Sequence, residues 1–177
     1  MKEQIITITF HKKQIISDVL VQCNLMGRAL QKMPGSEELA SEVMTPDSAD
    51  SKPVVARALV EAWNEVKKIC QRYLTDGRSA DDNRLERISW KDVEGKEDFG
   101  SFVLNLNMPA HFNAGMTESI KSDAHRMIVD YTIRAFLLDK WPEKSAEYER
   151  RFVVDAESLR SDLRSRFLFV RCAEDWA

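Results

Sequence analysis

Between Phe99 and Trp141 the chain reads FGSFVLNLNMPAHFNAGMTESIKSDAHRMIVDYTIRAFLLDKW, and its hydrophobic period changes partway through. Phe102, Leu104, Leu106 and Met108 recur every second residue, opposite Ser101, Asn105 and Asn107 with Val103, which is the alternation of a strand with one buried face. From Met116 the spacing turns to threes and fours. Met116, Ile120, Ala124, Met127, Ile128, Tyr131, Ala135 and Leu138 share a helical face, and Val129, Ile133, Phe136 and Leu137 widen it toward the C-terminal end. A helix apolar over most of its circumference must be surrounded by other elements, so this strand, loop and helix are expected at the centre of the fold.

The rest of the chain supplies the elements to surround it. Residues 4–10 alternate Ile6, Ile8 and Phe10 with Thr7 and Thr9, a β-branched strand. Residues 12–33 then place Ile16, Val19 or Leu20, Cys23, Met26, Leu30 and Met33 on one helical face, with Gly27 marking either a close helix crossing or a kink. Residues 54–74 repeat the helical spacing through Val55, Leu59, Ala62, Val66, Ile69, Cys70 and Tyr73, and Asp76-Gly77 ends it. Ile88 and Trp90 suggest a short strand over 87–93 that forms a hairpin with the strand at Ser101. Pro142 stops the central helix and opens another, expected over 143–170, with a seam of Tyr148, Phe152, Ala156, Leu159, Leu163, Phe167 and Val170.

The fold class expected is therefore α+β, mainly α: four long helices packed as a bundle with a small three-stranded antiparallel sheet. The order is strand, helix, helix, strand, strand, helix, helix, in one domain over 1–177. Each half reads as a strand with a helical pair, but no residue identity marks a duplication.

Pro34-Gly35 ends the first helix, and residues 34–53 are acidic, with Glu37, Glu38, Glu42, Asp47 and Asp50 against a single Lys52. This stretch is expected to be a solvated surface loop with at most a helical turn around 37–43. The alternative is an arm that docks on a neighbouring subunit through Leu39, Val43 and Met44, flanked by Glu37, Glu38 and Glu42.

Charge excludes little but weakens one class: a net charge of -3 gives no global attraction for a polyanion. No stretch approaches the ~20 apolar residues of a membrane span, and the N-terminus lacks the pattern of a secretion signal, so no membrane partner is expected and the chain reads as cytoplasmic. Cys23, Cys70 and Cys172 have neither zinc nor redox spacing and are read as packing thiols in a reducing compartment.

Candidates for chemistry are few. His111 and His125 flank the start of the central helix, His11 ends the first strand, and Asp123 precedes His125 by two, but no ligand pair stands at the three- or four-residue spacing of a helical metal site. Asp81-Asp82 and Glu174-Asp175 are adjacent carboxylates that do not converge, and no glycine-rich phosphate loop or nucleophile elbow is present. Neither a cofactor nor a metal is expected, and an enzyme with a cleft near His111 and His125 is the weakest reading. The C-terminal part carries Arg160, Arg164, Arg166 and Arg171 among Phe169 and Trp176. Arginines there complement a helix dipole, or form an interaction patch for an acidic surface or a nucleic-acid backbone.

Four segments together carry a resemblance: ITITF with the following helix and its MGRAL run, LNLNMPAHFN, IVDYTIRAFLLDKW, and a last helix with a basic end. The chain resembles small proteins of phage and prophage structural modules. That resemblance implies a non-enzymatic head-to-tail adaptor present in repeated copies in a ring. Such a protein contacts other virion assembly proteins, in the cytoplasm during assembly and then in the virion. It implies no functional residue.

Overall fold

The computed structural model describes residues 4–75 and 100–166. In chain order these form β1 (Gln4–His11), α1 (Lys12–Leu30), α2 (Glu37–Val43), α3 (Lys52–Cys70), β2 (Ser101–Met108), α4 (Thr117–Leu137) and α5 (Pro142–Leu163). Short 3₁₀ turns follow α3 at Gln71–Tyr73 and precede α4 at Ala114–Met116.

The two alternating segments pair with each other. β1 and β2 run antiparallel, with Ile6 opposite Leu106, Ile8 opposite Leu104 and Phe10 opposite Phe102, so both apolar rows fall on one face. The expected 87–93 strand lies outside the described residues. Among those described the sheet has two strands, not three, and β1 lies directly beside β2. On its other edge β2 meets the chain after α3, where Leu74 bridges Leu106 and the Thr75 N–H donates to the Asn105 carbonyl at 3.3 Å.

Trp63 of α3 covers the apolar face of this sheet. Its ring stacks on Phe102 with centroids 4.8 Å apart and meets Phe10 at 5.7 Å, and the Trp63 side chain is fully buried. Behind it α4 is the central helix, packed by α3, α5 and α1 and touching β1. Ile120, Ala124, Met127, Ile128, Val129, Ile133, Phe136 and Leu137 are all buried, as expected of a helix enclosed by its neighbours. Leu138 is not: the helix stops at Leu137 and Leu138 is exposed. α5 returns antiparallel to α4, with Tyr148, Ala156, Leu159 and Leu163 buried and Phe152 partly so. It ends at Leu163, short of Val170, and Phe167 and Val170 lie outside the described residues.

Two expectations about the first half need correction. The buried face of α1 is Ile15, Val19, Cys23, Gly27 and Leu30, one residue off the expected row at Ile16 and Met26, and α1 stops before Met33. The physical reason is the run of neighbouring apolar residues at 15–16 and 19–20, which fits two adjacent faces, so packing makes the choice. The second correction concerns 34–53, which carries a helix and not simply a solvated loop. α2 packs on α1 with Ala40 and Val43 buried, and the backbone of this connection closes through Ser48–Ser51 turns onto α3. Lys140, just past α4, holds it in place. Its Nζ donates to the Glu42 carbonyl at 3.3 Å and the Ser51 hydroxyl at 3.4 Å while lying 4.1 Å from the Phe136 ring centroid.

The described residues form five helices against four expected, because the acidic connection contributes α2. Gly27 is a close crossing and not a kink, since α2 and the following Met44 lie directly over it. The core is one continuous cluster from the sheet face through α1, α3, α4 and α5. Among the described residues no helix is long and apolar enough to cross a membrane.

Candidate functional site

α1 and α5 both lie on α4, and between them an open groove of about 700 Å³ follows the surface of α4. Each wall contributes for a reason visible in its helical spacing. Asp18, Val21 and Gln22 come from the side of α1 away from its core row, His125, Arg126, Val129 and Asp130 from α4, and Glu147, Arg150, Arg151, Val154 and Asp155 from α5.

The ionisable groups on these walls are mostly matched to one another. Asp18 Oδ2 lies 2.7 Å from His125 Nε2, joining residues 107 positions apart. Arg126 pairs with the buried Asp123 one turn earlier, and its Nε lies 3.4 Å from Asp155 Oδ1 of α5. Arg151 pairs with Glu147 on its own helix. Tyr148 ties the walls together from below, its hydroxyl donating to Gln22 Oε1 at 3.1 Å, and burial pushes that phenol up to about 12.

Asp130 is the exception. It is buried, at 7% exposure, and a second carboxylate, Asp155, acts on it along with the basic Arg151 and Arg126. Burial, then the Asp155 carboxylate, push its pKa up to about 6, partly offset by Arg151 and Arg126. Asp155 shifts upward as well, chiefly through burial. What the groove can do chemically is limited by its lining: among the described residues that line it there is no serine, threonine or cysteine to serve as a nucleophile. Among the described residues no group of three or more histidine, cysteine or acidic side chains is arranged to hold a metal ion.

The residues singled out in the sequence are distributed as follows. His125 lies in the groove, but His111 is exposed on the turn before α4 and does not line it, so this groove does not bring the two histidines together. His11 bonds Ser101 across the sheet at 3.0 Å. Cys23 and Cys70 are buried free thiols, each pushed up to about 12 by burial, and Cys172 lies outside the described residues.

The arginine patch is only partly within view, because Phe169, Arg171 and Trp176 lie outside the described residues. Of the remainder, Arg160 pairs with Glu157, and Arg166 turns back onto the Leu163 and Ser165 carbonyls at 3.1 and 2.8 Å, closing the end of α5. Arg164 remains exposed beside a shallow pocket with Met116 and Asp162. In the acidic connection Glu37, Glu38 and Glu42 face solvent. Val43 is buried against its own chain, and Leu39 and Met44 are half-buried there, so the apolar part of the expected arm is used at home.

Sequence reasoning missed the groove because it is built across three helices far apart in the chain. The one signal it left is Val21, an apolar residue that does not belong to the core row of α1 and stands exposed. No family model, no curated protein and no solved structure matches this chain.

Proposed function

We propose that this chain is a non-enzymatic structural or adaptor protein that self-associates and contacts other proteins of an assembly. The observation that carries this reading is the surface around the groove. Its charged groups are mostly paired within the chain, while Val21 on one wall and Val154 on the other stand 54% and 67% exposed, and Leu25 and Val153 on the same two helices are exposed outside the groove. Charges neutralised in place with apolar ridges left open suit contact with a protein better than turnover of a small molecule. The resemblance to phage and prophage structural modules supports a role in virion assembly, with the protein in the cytoplasm first and in the particle afterwards. Light scattering at micromolar concentration, alone and with the products of the adjacent genes, tests it. Mass above the monomer or a stable mixed complex supports the reading, and a monomer that binds none of them overturns it.

A second reading rests on one specific observation, the Asp18 and His125 hydrogen bond in the same groove as Asp130. A carboxylate that orients a histidine beside a second carboxylate of raised pKa is an acid–base arrangement. Screening ester, phosphoester and glycoside substrates with wild type and His125→Ala tests it, and equal background rates in both remove it. The nucleic-acid reading has less support, since two of the three described arginines of its patch are already engaged.

A further inference from the structure

The outward side of α1 carries a second stripe that the core does not use. Positions 14, 18, 21, 25, 28 and 32 follow the alternating four-three spacing of a coiled-coil seam. They are Gln14, Asp18, Val21, Leu25, Arg28 and Lys32, the last just beyond the helix end. The core row at Ile15, Val19, Cys23, Gly27 and Leu30 lies on the other side of the helix. Val21 and Leu25 are 54% and 60% exposed, and Arg28 is exposed with no ion pair among the described residues. Asp18 bonds His125, yet its side chain remains 45% exposed.

Reversed, this stripe complements itself. When a second copy of α1 is laid antiparallel and centred on position 23, Val21 faces Leu25, Asp18 faces Arg28 and Gln14 faces Lys32, and the same pairings recur across the two-fold axis. A parallel alignment in register would instead oppose Asp18 to Asp18 and Arg28 to Arg28. Like charges at both ends of so short a seam disfavour it. Val154, exposed on the facing lip of the groove, extends the apolar surface that the second helix meets.

We propose that α1 is a homodimerisation helix, packing antiparallel on α1 of a second copy with Val21 on Leu25 at the centre and Asp18 paired to Arg28 of the other copy at each end. This rests on the self-association reading above and sharpens it. An isologous contact of this kind closes at two copies, so a ring of the kind implied by the resemblance would need a further, heterologous surface.

The charge pairing allows a direct test by sedimentation velocity on the full chain. Wild type is expected to dimerise. Asp18→Arg sets two guanidinium groups against each other at each end of the seam, and Arg28→Glu sets two carboxylates against each other there. Each variant alone is therefore expected to lose roughly tenfold or more in dimer affinity. In an equimolar mixture of the two, a mixed dimer places the introduced arginine against the introduced glutamate at one end and keeps the native Asp18 against the native Arg28 at the other. The mixture is expected to sediment as wild type does. Recovery on mixing cannot come from a misfolded variant. If wild type and both variants associate equally, the inference is overturned while self-association stands through another surface. If the variants are monomeric and their mixture is too, the antiparallel pairing is wrong. If wild type alone is monomeric the inference falls, and the assembly reading is then decided by binding to the neighbouring gene products.

Discussion

The side chain of Met44, the residue that follows α2, fills the space that a side chain on Gly27 of α1 would need. A Cβ built on Gly27 would meet the Met44 side chain, with its Sδ at 2.8 Å, and would lie 3.0 Å from the Ala40 carbonyl oxygen. Gly27 is therefore what lets α2 dock on α1, and the helix tolerates its conformational freedom for that contact.

Gly27→Ala should destabilise the protein by about 1–3 kcal/mol through overpacking, despite a helix-propensity gain of up to ~1 kcal/mol. Met44 can move aside, whereas the Ala40 carbonyl is backbone and cannot. Urea denaturation measures the loss, and limited proteolysis should show cleavage in 34–53 appearing with it. A variant as stable as wild type would show that α2 is not held by this crossing.

Trp63→Ala should be the most damaging single substitution in α3, costing about 3–5 kcal/mol, because it removes the ring that covers both strands. Trp63→Phe should cost less, since a smaller ring can still stack on Phe102. Chemical denaturation of the two variants against wild type checks the order.

Asp130→Asn should stabilise the protein at neutral pH, on the order of 1–2 kcal/mol. The sign follows from the raised pKa of about 6, against an ordinary value of 3.8. Between those values the folded state binds the proton more tightly than the unfolded state does. The contribution of this group to stability therefore falls as pH rises through that window, and above it the buried charge weighs fully against folding. The gain in melting temperature on substitution should be largest at pH 7 and above and shrink toward pH 4. The charged groups that set it are Asp155, Arg151 and Arg126, so Asp155→Asn should lower the Asp130 pKa when followed by NMR titration.

Cys23 and Cys70 should be silent to a chromogenic thiol reagent at pH 8 in the native state and react only on unfolding. Both are buried and their thiols are held far from ionisation. Rapid native labelling of either would mean that α1 or α3 opens locally.

Much of the architecture was legible in local pattern. The strand at Ser101–Met108, the buried breadth of α4 and the start of α5 at Pro142 all follow from period and punctuation. Less legible was α2. Its composition reads as solvated because its outward residues are Glu37, Glu38 and Glu42, while the residues that anchor it are two small apolar side chains, Ala40 and Val43. What makes that anchor sufficient is the missing side chain at Gly27, and two short segments facing each other leave no periodic trace in either.

For β1, β2, α1, α3, α4 and α5 the residues in order were enough to place helix or strand and to show that one face is apolar, because these depend on interactions a few residues apart. Packing between distant segments chose which of two adjacent apolar rows of α1 is buried, made Gly27 a crossing, and brought Asp18 to His125 over 107 positions of sequence. Those outcomes depend on which surfaces remain uncovered after all the helices have packed on α4. For the same reason the outward stripe of α1 was written in the residues from the start, yet it gained meaning only when the structure left it exposed.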